Sequence, residues 1–218
     1  MKKVIILIGA PGSGKGTQSK FIKEHYKLAH ISTGDMLREE ISQGTELGKK
    51  IDSLIAAGNL VDNSTMNDLI ESRITKEDCK NGFILDGYPR TLKQAEMLED
   101  LFNKYSISNY KVIEINVDQD VLIKRITGRY TCSSCGFIYN KFFNNPKIEG
   151  VCDNCGSTSF DHRADDNLET LTKRLDVYNT QSAEILPFYE KKNVRYTIDG
   201  TLSIEESKKE IINILDEN

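Results

Sequence analysis

No apolar run in the 218-residue sequence approaches the roughly 20 residues that a membrane span requires, which excludes integral-membrane helices. No charge of one sign dominates. The 29 Lys and Arg stand against 33 Asp and Glu, a net charge of −4, which argues against a general nucleic-acid or acidic-membrane binder. Internal repeats and low-complexity tracts are also missing. One segment imitates a secretory signal: Lys2 and Lys3, then apolar Val4 to Ile8, then Gly9-Ala10. Its apolar stretch is too short for a signal core and reads instead as a first buried strand. A cytoplasmic protein is therefore expected, with its five cysteines as thiols or metal ligands rather than disulfides. A chain this long buries enough surface to form one domain with small insertions and needs no disulfide staples.

Short apolar runs alternate with longer amphipathic stretches, the signature of a parallel sheet covered by helices on both faces. Strands are expected at Lys3 to Ile8, Ala29 to Ile31, Gly82 to Asp86, Lys111 to Asn116 and Val194 to Asp199. Helical periodicity runs from Lys15 to Tyr26, Ser64 to Ile74, Leu92 to Tyr105, Asp120 to Ile126 and Leu168 to Lys191. Ser203 followed by Glu206 has the spacing of a capping box opening a last helix. Two excursions interrupt the alternation. Residues 32–61 are helical in pattern and punctuated by Gly44, Gly48 and Gly58; residues 128–166 are turn-rich, with paired cysteines and several aromatics.

The first strand runs into Gly9-Ala10-Pro11-Gly12-Ser13-Gly14-Lys15-Gly16-Thr17 and then a helical pattern. Strand, glycine-rich loop and helix in that order form an anion site. The glycines let backbone N–H groups turn inward, the helix N-terminus adds positive potential, and Lys15 reaches the outer phosphates. The hydroxyl expected directly after the lysine is displaced by Gly16 to Thr17. A second anchor is Leu85-Asp86-Gly87-Tyr88-Pro89-Arg90, where a carboxylate ends a buried strand and points to the crevice beyond the strand tips. Asp86 and Thr17 are candidates to support Mg²⁺.

These strings, taken together, resemble the adenylate kinase family in its long-lid form. The resemblance covers essentially the whole chain. It rests on GAPGSGKGTQ, ISTGDMLR (Ile31 to Arg38), GNLV (Gly58 to Val61), GFILDGYPRTLKQAE (Gly82 to Glu96), RITGR (Arg125 to Arg129), RADDN (Arg163 to Asn167) and DGT (Asp199 to Thr201). It implies a P-loop nucleoside monophosphate kinase fold: an α/β core of residues 1–31, 62–127 and 167–218 with a five-stranded parallel sheet, a helical AMP-binding insertion at 32–61, and a zinc-knuckle lid at 128–166. It also implies a monomer acting on ATP, AMP and ADP.

Only eight of the 29 basic residues are arginine, so general solvent-facing positive charge is written as lysine. Six arginines fall in or beside motif segments: Arg38, Arg90, Arg125, Arg129, Arg163 and Arg174. A guanidinium grips phosphate bidentately, and six together suggest a phosphate clamp. Arg73 and Arg195 lie outside the motifs and are expected at the surface. By resemblance, Arg38 and Arg90 bind the AMP phosphate, and Arg125, Arg129, Arg163 and Arg174 surround the transferred group, with Arg163 and Arg174 also reaching AMP. Gly12 to Thr17 cradle ATP. Thr33, Asn59, Leu60, Val61, Gly87, Tyr88, Pro89 and Gln94 match the AMP pocket, and Ile138, Tyr139 and Leu202 match positions near the ATP base or ribose. The implied reaction is in-line transfer of the ATP γ-phosphoryl group to AMP, catalysed by positioning and charge neutralisation in a closed site.

Cys132-x-x-Cys135 and Cys152-x-x-Cys155, sixteen residues apart, read as a tetrahedral Cys₄ knuckle pair, with Gly136 and Gly156 following the second cysteine of each. Structural zinc is the preferred ion; iron in a rubredoxin-like site is the alternative. Cys79 has no ligand-spaced partner and reads as a core or loop thiol. His25, His30 and His162 show no metal or triad spacing and receive no role. The chain departs from the family's pattern at Tyr130, at Asn140 where His is frequent, and at Asn144-Asn145-Pro146. Rival functions are another monophosphate kinase acting on UMP or CMP, whose relatives tend to carry Ala at the position of Thr33, an ATP-dependent switch, and a zinc-ribbon nucleic-acid module.

Overall fold

The computed structural model describes residues 2–57, 59–182 and 184–217. Its centre is a five-stranded, wholly parallel sheet in the order β2-β3-β1-β4-β8, formed by β1 (Lys3–Ile8), β2 (Ala29–Ser32), β3 (Gly82–Asp86), β4 (Tyr110–Asn116) and β8 (Arg195–Asp199). The five expected strands are therefore present, with ends shifted by one residue at β2, β4 and β8. Alternation along β1 explains the layers. Val4, Ile6 and Ile8 pack on one face with Ile70 and Ile74 of α4 (Asn63–Ile74), Leu98 and Phe102 of α5 (Leu92–Lys104) and Tyr189 of α8 (Ile185–Glu190). Ile5 and Leu7 pack on the other with Ile22 of α1 (Lys15–Tyr26) and Ile211 and Leu215 of α9 (Ile204–Asp216). The capping box forms as expected, Ser203 and Glu206 closing reciprocally on the first turn of α9.

The chain leaves this layered core twice. After β2, α2 (Thr33–Ser42) and α3 (Glu46–Ala56) form a helical pair, capped by the side chains of Ser32 and Thr45. After α6 (Gln119–Thr127), the segment expected to be turns contains a three-stranded antiparallel sheet of β5 (Arg129–Cys132), β6 (Ile138–Asn140) and β7 (Phe160–Asp161). Strands of four, three and two residues are too short to show alternation in a sequence. Their buried centre is small: Cys132, Tyr139 and Cys152, flanked by Tyr130 and Phe160. Gly58, singled out in the GNLV string, lies outside the described residues.

Two expectations fail. The long helix over Leu168–Lys191 is broken into α7 (Leu168–Val177), a wide π-type turn at Tyr178–Ser182, and α8. Pro187 explains the break, because it has no N–H to donate to a continuing helix; it is accommodated in the first turn of α8. Arg195 is not a plain surface charge. Its guanidinium donates twice to Glu114, at 2.6 and 3.2 Å, and Thr197 donates to the same carboxylate at 3.1 Å. Glu114 is only 7% exposed, between the buried Ile113 and Ile115 of β4, so its charge requires this partner.

Arg195→Leu should therefore destabilise the protein by about 3 kcal/mol, because it strands a buried carboxylate. The loss is read as a drop in thermal midpoint and should be largely recovered in the Glu114→Gln/Arg195→Leu double variant. A single variant melting like the parent would contradict the assignment.

Candidate active site and thiolate cluster

Every phosphate-loop or anchor residue of the large sheet leaves from the C-terminal end of a strand, which is where ligands bind in open parallel sheets. Residues 9–14 follow β1, Thr33 follows β2, Asp86 ends β3 with Arg90 just beyond, and Gly200 follows β8. In the first loop Gly12 and Gly14 take φ of 84° and 105°, a region where a side chain is strained. Gly14 caps α1, and its carbonyl accepts from the N–H groups of Thr17 and Gln18 at 3.0 and 3.1 Å. The Lys15 ammonium tucks beneath the loop, donating to the Gly9 carbonyl at 2.6 Å and the Ala10 carbonyl at 3.0 Å. Ser13 is buried, and Arg125 donates to its carbonyl at 3.2 Å and to that of Gly200 at 2.7 Å. Arg125 thus ties the loop to the turn that carries Leu202.

Asp86 sits at the floor of the site. Burial alone would raise its pKa, but His30, Lys15 and Ser19 hold it below the ordinary carboxylate value. Ser19 donates to Oδ2 at 3.1 Å, and His30 Nε2 lies 3.2 Å from the same oxygen. His30, assigned no role from the sequence, is therefore part of the site's foundation, as is Ser19. The available signals were weak: Ser19 lies one turn beyond Lys15 on the same helix face, and His30 alternates with Ser32 in β2. Thr33 donates to the Gly87 carbonyl at 2.9 Å, and Arg90 Nε donates to it at 2.7 Å. Gln94 is buried and its Oε1 accepts the Arg90 N–H at 2.8 Å. Its amide N–H₂ and second acceptor lone pair are what remain for a ligand. Tyr88 is buried among core residues, and Val61 packs in the same cluster; their side chains are packing elements. Asn59 is exposed, Leu60 is half-buried beside it, and Pro89 is buried next to Tyr88.

The arginines converge from separate elements. Lys15 feels the charges of Arg90, Arg174 and Arg129; Arg90 feels Arg174 and Arg38; Arg163 feels Arg129 and Arg38. Burial, followed by this crowding, pushes Arg90 and Arg163 down to about 10. For Lys15, burial first and then the arginines outweigh Asp86 and lower it from 10.5 to about 8. Carboxylates offset part of the charge: Arg38 pairs with Asp35, Arg129 makes two hydrogen bonds to Asp166, and Arg174 reaches Asp165 at 2.7 Å. Six cations share four carboxylates, counting Asp86, so the cleft is left positive and suited to polyanions.

The small sheet carries a second site. The Sγ atoms of Cys132, Cys135, Cys152 and Cys155 all lie within 4.8 Å of one another, with Cys132–Cys155 and Cys135–Cys152 at 3.6 Å. A tetrahedral thiolate site with metal–sulfur bonds of ~2.3 Å has sulfur–sulfur edges of ~3.8 Å. The cluster fits a metal ion. Matching turns hold the two pairs: the Gly136 N–H donates to the Cys132 carbonyl at 2.9 Å, and the Gly156 N–H to that of Cys152 at 2.8 Å. Tyr139, expected near the ATP base, has its ring buried here, and its hydroxyl donates to Cys152 Sγ at 3.5 Å and accepts the Asp153 N–H at 2.7 Å. Only its backbone is left for a nucleotide; Ile138 beside it is half-buried. Despite burial, the Tyr139 hydroxyl and nearby backbone N–H groups pull the Cys152 thiol down to about 6. Lys20 of α1 donates to the Gly136 carbonyl at 2.8 Å, bringing this sheet against the core. Cys79 is a buried thiol beside Arg73, which pairs with Asp78.

A parallel sheet with a phosphate-type loop at its centre and a ring of converging arginines defines a P-loop kinase of the monophosphate class. A family model described as adenylate kinase matches residues 7–194. The chain is 44% identical over 212 residues to an adenylate kinase of Paramagnetospirillum magneticum, covering 97% of this chain and 98% of that one. It is 46% identical over 211 residues to an adenylate kinase of Lactobacillus johnsonii, covering 97% of each. The chain belongs to the adenylate kinase family. Among the described residues no helix is long and apolar enough to cross a membrane.

Two measurements check these sites. An anion favours charged Lys15, so nucleotide affinity should be full below pH 8 and fall above it, by up to about tenfold per pH unit. The sign is opposite for the unliganded fold, where the cost of burying the charged amine is relieved as pH rises from about 8 toward 10.5. Titration calorimetry showing affinity flat from pH 7 to about 9.5 would contradict the Lys15 account. For the thiolates, the native protein should carry about one metal ion per chain, and Cys135→Ser should release it and lower the thermal midpoint while far-ultraviolet ellipticity is retained. Full metal content in that variant would refute the four-thiolate site.

Proposed function

We infer that this chain is an adenylate kinase, catalysing reversible transfer of the ATP γ-phosphoryl group to AMP to give two ADP. The observation that carries the reading is the crowding of Lys15, Arg38, Arg90, Arg129, Arg163 and Arg174 around one cleft at the strand tips. Burial and the neighbouring guanidinium groups lower the proton affinity of Arg90, Arg163 and Arg174, a standing electrostatic cost that phosphate relieves. Gly12 to Thr17 cradle the ATP phosphates, Arg38 and Arg90 hold the AMP phosphate, and Arg129, Arg163 and Arg174 face the group in flight. The bond from the γ-phosphorus to the bridging oxygen breaks as one forms to an oxygen of AMP. That acceptor oxygen is already ionised, so no general base is needed. Thr17 and Asp86 offer the hydroxyl and carboxylate oxygens that suit Mg²⁺, which supplies charge neutralisation on the phosphates when bound. The four thiolates suit zinc in a structural role, since a set of four protein ligands leaves no open coordination position.

The division of labour follows. Residues 1–31, 62–127 and 167–218 act as the core, 32–61 as the insertion that closes over AMP, and 128–166 as the lid over ATP. Closure removes the water that would otherwise accept the phosphoryl group. Thr33, Gly87 and Gln94 line the AMP base side, and the backbones of Ile138, Tyr139 and Leu202 the ATP base side. The protein acts as a cytoplasmic monomer, in keeping with cysteines gathered as metal ligands rather than disulfides.

The test is a panel of AMP, UMP, CMP, GMP and dTMP with ATP, where AMP should be phosphorylated by far the fastest and preference for another acceptor overturns the reading. In the same assay Arg90→Met should lower kcat by about 10³-fold with the fold intact. Activity near the parent's would remove Arg90 from the clamp.

A further inference from the structure

Arg90 lies in the irregular segment between β3 and α5, where neither a strand ladder nor a helix holds its backbone. Side chains hold it instead. Its N–H donates to Gln94 Oε1 at 2.8 Å, and its carbonyl accepts the hydroxyl of the distant Ser182 at 2.8 Å. Ser182 is only 5% exposed and closes the π-type turn that follows α7. A buried hydroxyl needs an acceptor, and a carbonyl outside any ladder needs a donor; this one bond satisfies both. It also joins two charged segments. Arg174 stands on α7, directly upstream of the turn, and of the charges around Arg90 that of Arg174 acts on it most strongly. Like charges at close range push the two segments apart, and the Ser182 hydroxyl ties them together. The Arg90 guanidinium itself has one anchor, Nε to the Gly87 carbonyl at 2.7 Å. Among the described residues its two Nη groups donate to no protein atom, which leaves them for an anion.

We propose that Ser182 is a positioning residue for the phosphoryl acceptor: its hydroxyl pins the Arg90 backbone to the segment bearing Arg174, and so fixes the spacing between the acceptor's phosphate and the group in flight. Ser182 touches no substrate itself. The proposal rests on the reading that Arg90 holds the AMP phosphate and Arg174 faces the transferred group.

The experiment is steady-state kinetics on metal-loaded Ser182→Ala, Ser182→Thr, Arg90→Met and the Ser182→Ala/Arg90→Met double variant, varying each nucleotide in turn, with a thermal midpoint for each sample. Ser182→Ala orphans the Arg90 carbonyl and should lower kcat/KM for AMP by about tenfold while KM for ATP stays within about twofold of the parent. Ser182→Thr keeps the hydroxyl and should recover most of the loss. Once Arg90→Met has removed the guanidinium, adding Ser182→Ala should cost less than about twofold more, because its effect runs through that group. A merely structural staple would move the thermal midpoint, cost the same in both backgrounds and not separate the two nucleotides. If Ser182→Ala matches the parent, moves both KM values equally, is not improved by Thr, or costs as much without the guanidinium as with it, while Arg90→Met is impaired toward AMP, the positioning role is overturned. If Arg90→Met keeps the parent's AMP kinetics, the reading of the clamp fails first and the proposal fails with it.

Discussion

Like charges packed into a partly dry cleft repel one another, and the rest of this molecule is arranged around that constraint. Lys15, held at about 8 by burial and neighbouring guanidinium groups, and Arg90 and Arg163, held near 10, are not at rest energetically. The rigid parallel sheet supplies the restoring force. Its strands are filled on both faces by aliphatic side chains, and the loops that carry the cations leave from fixed strand ends. The nearby acids are placed to moderate the repulsion without cancelling it. Asp165 and Asp166 each hold one arginine, and Asp86 is braced by Ser19 and His30. Two phosphate chains brought together complete the charge balance that the protein alone leaves open.

The thiolate cluster solves a separate problem of scale. A sheet of three short strands with a buried centre of Cys132, Tyr139 and Cys152 has too little apolar area to hold a shape by burial. Four sulfur atoms gathered within 4.8 Å are placed to hold one ion, which would substitute for that core, and Tyr139 serves both as packing and as a hydrogen-bond donor to Cys152. The same turns place Gly136 against Lys20 of α1.

What was legible in the sequence was local in the chain. The loop from Gly9 to Thr17 is contiguous with the strand before it and the helix after it, so its meaning survives without tertiary information. The cysteine pairs announce themselves by spacing, and the arginines by their scarcity. The missing parts were long-range juxtapositions. Nothing in the neighbourhood of His30 says that Asp86 will stop beside it, and nothing near Ser182 names the Arg90 carbonyl. Arg195 looked like surface charge because its partner Glu114 lies on another strand. Tyr139 was placed by resemblance at the nucleotide, and its ring turned out to face the thiolates. The break in the helix over Leu168–Lys191 was within reach, since Pro187 marks it, but amphipathic periodicity on either side masked the interruption.

The central claim is that one positive cleft accepts both nucleotides at once, end to end. Calorimetry with a bisubstrate mimic that tethers two adenosines through a polyphosphate chain tests it most directly. The account predicts one site per chain, affinity well beyond that of ATP or AMP alone, and net proton uptake above pH 8 as Lys15 is recharged. Binding no tighter than ATP alone, with no proton uptake, would contradict it.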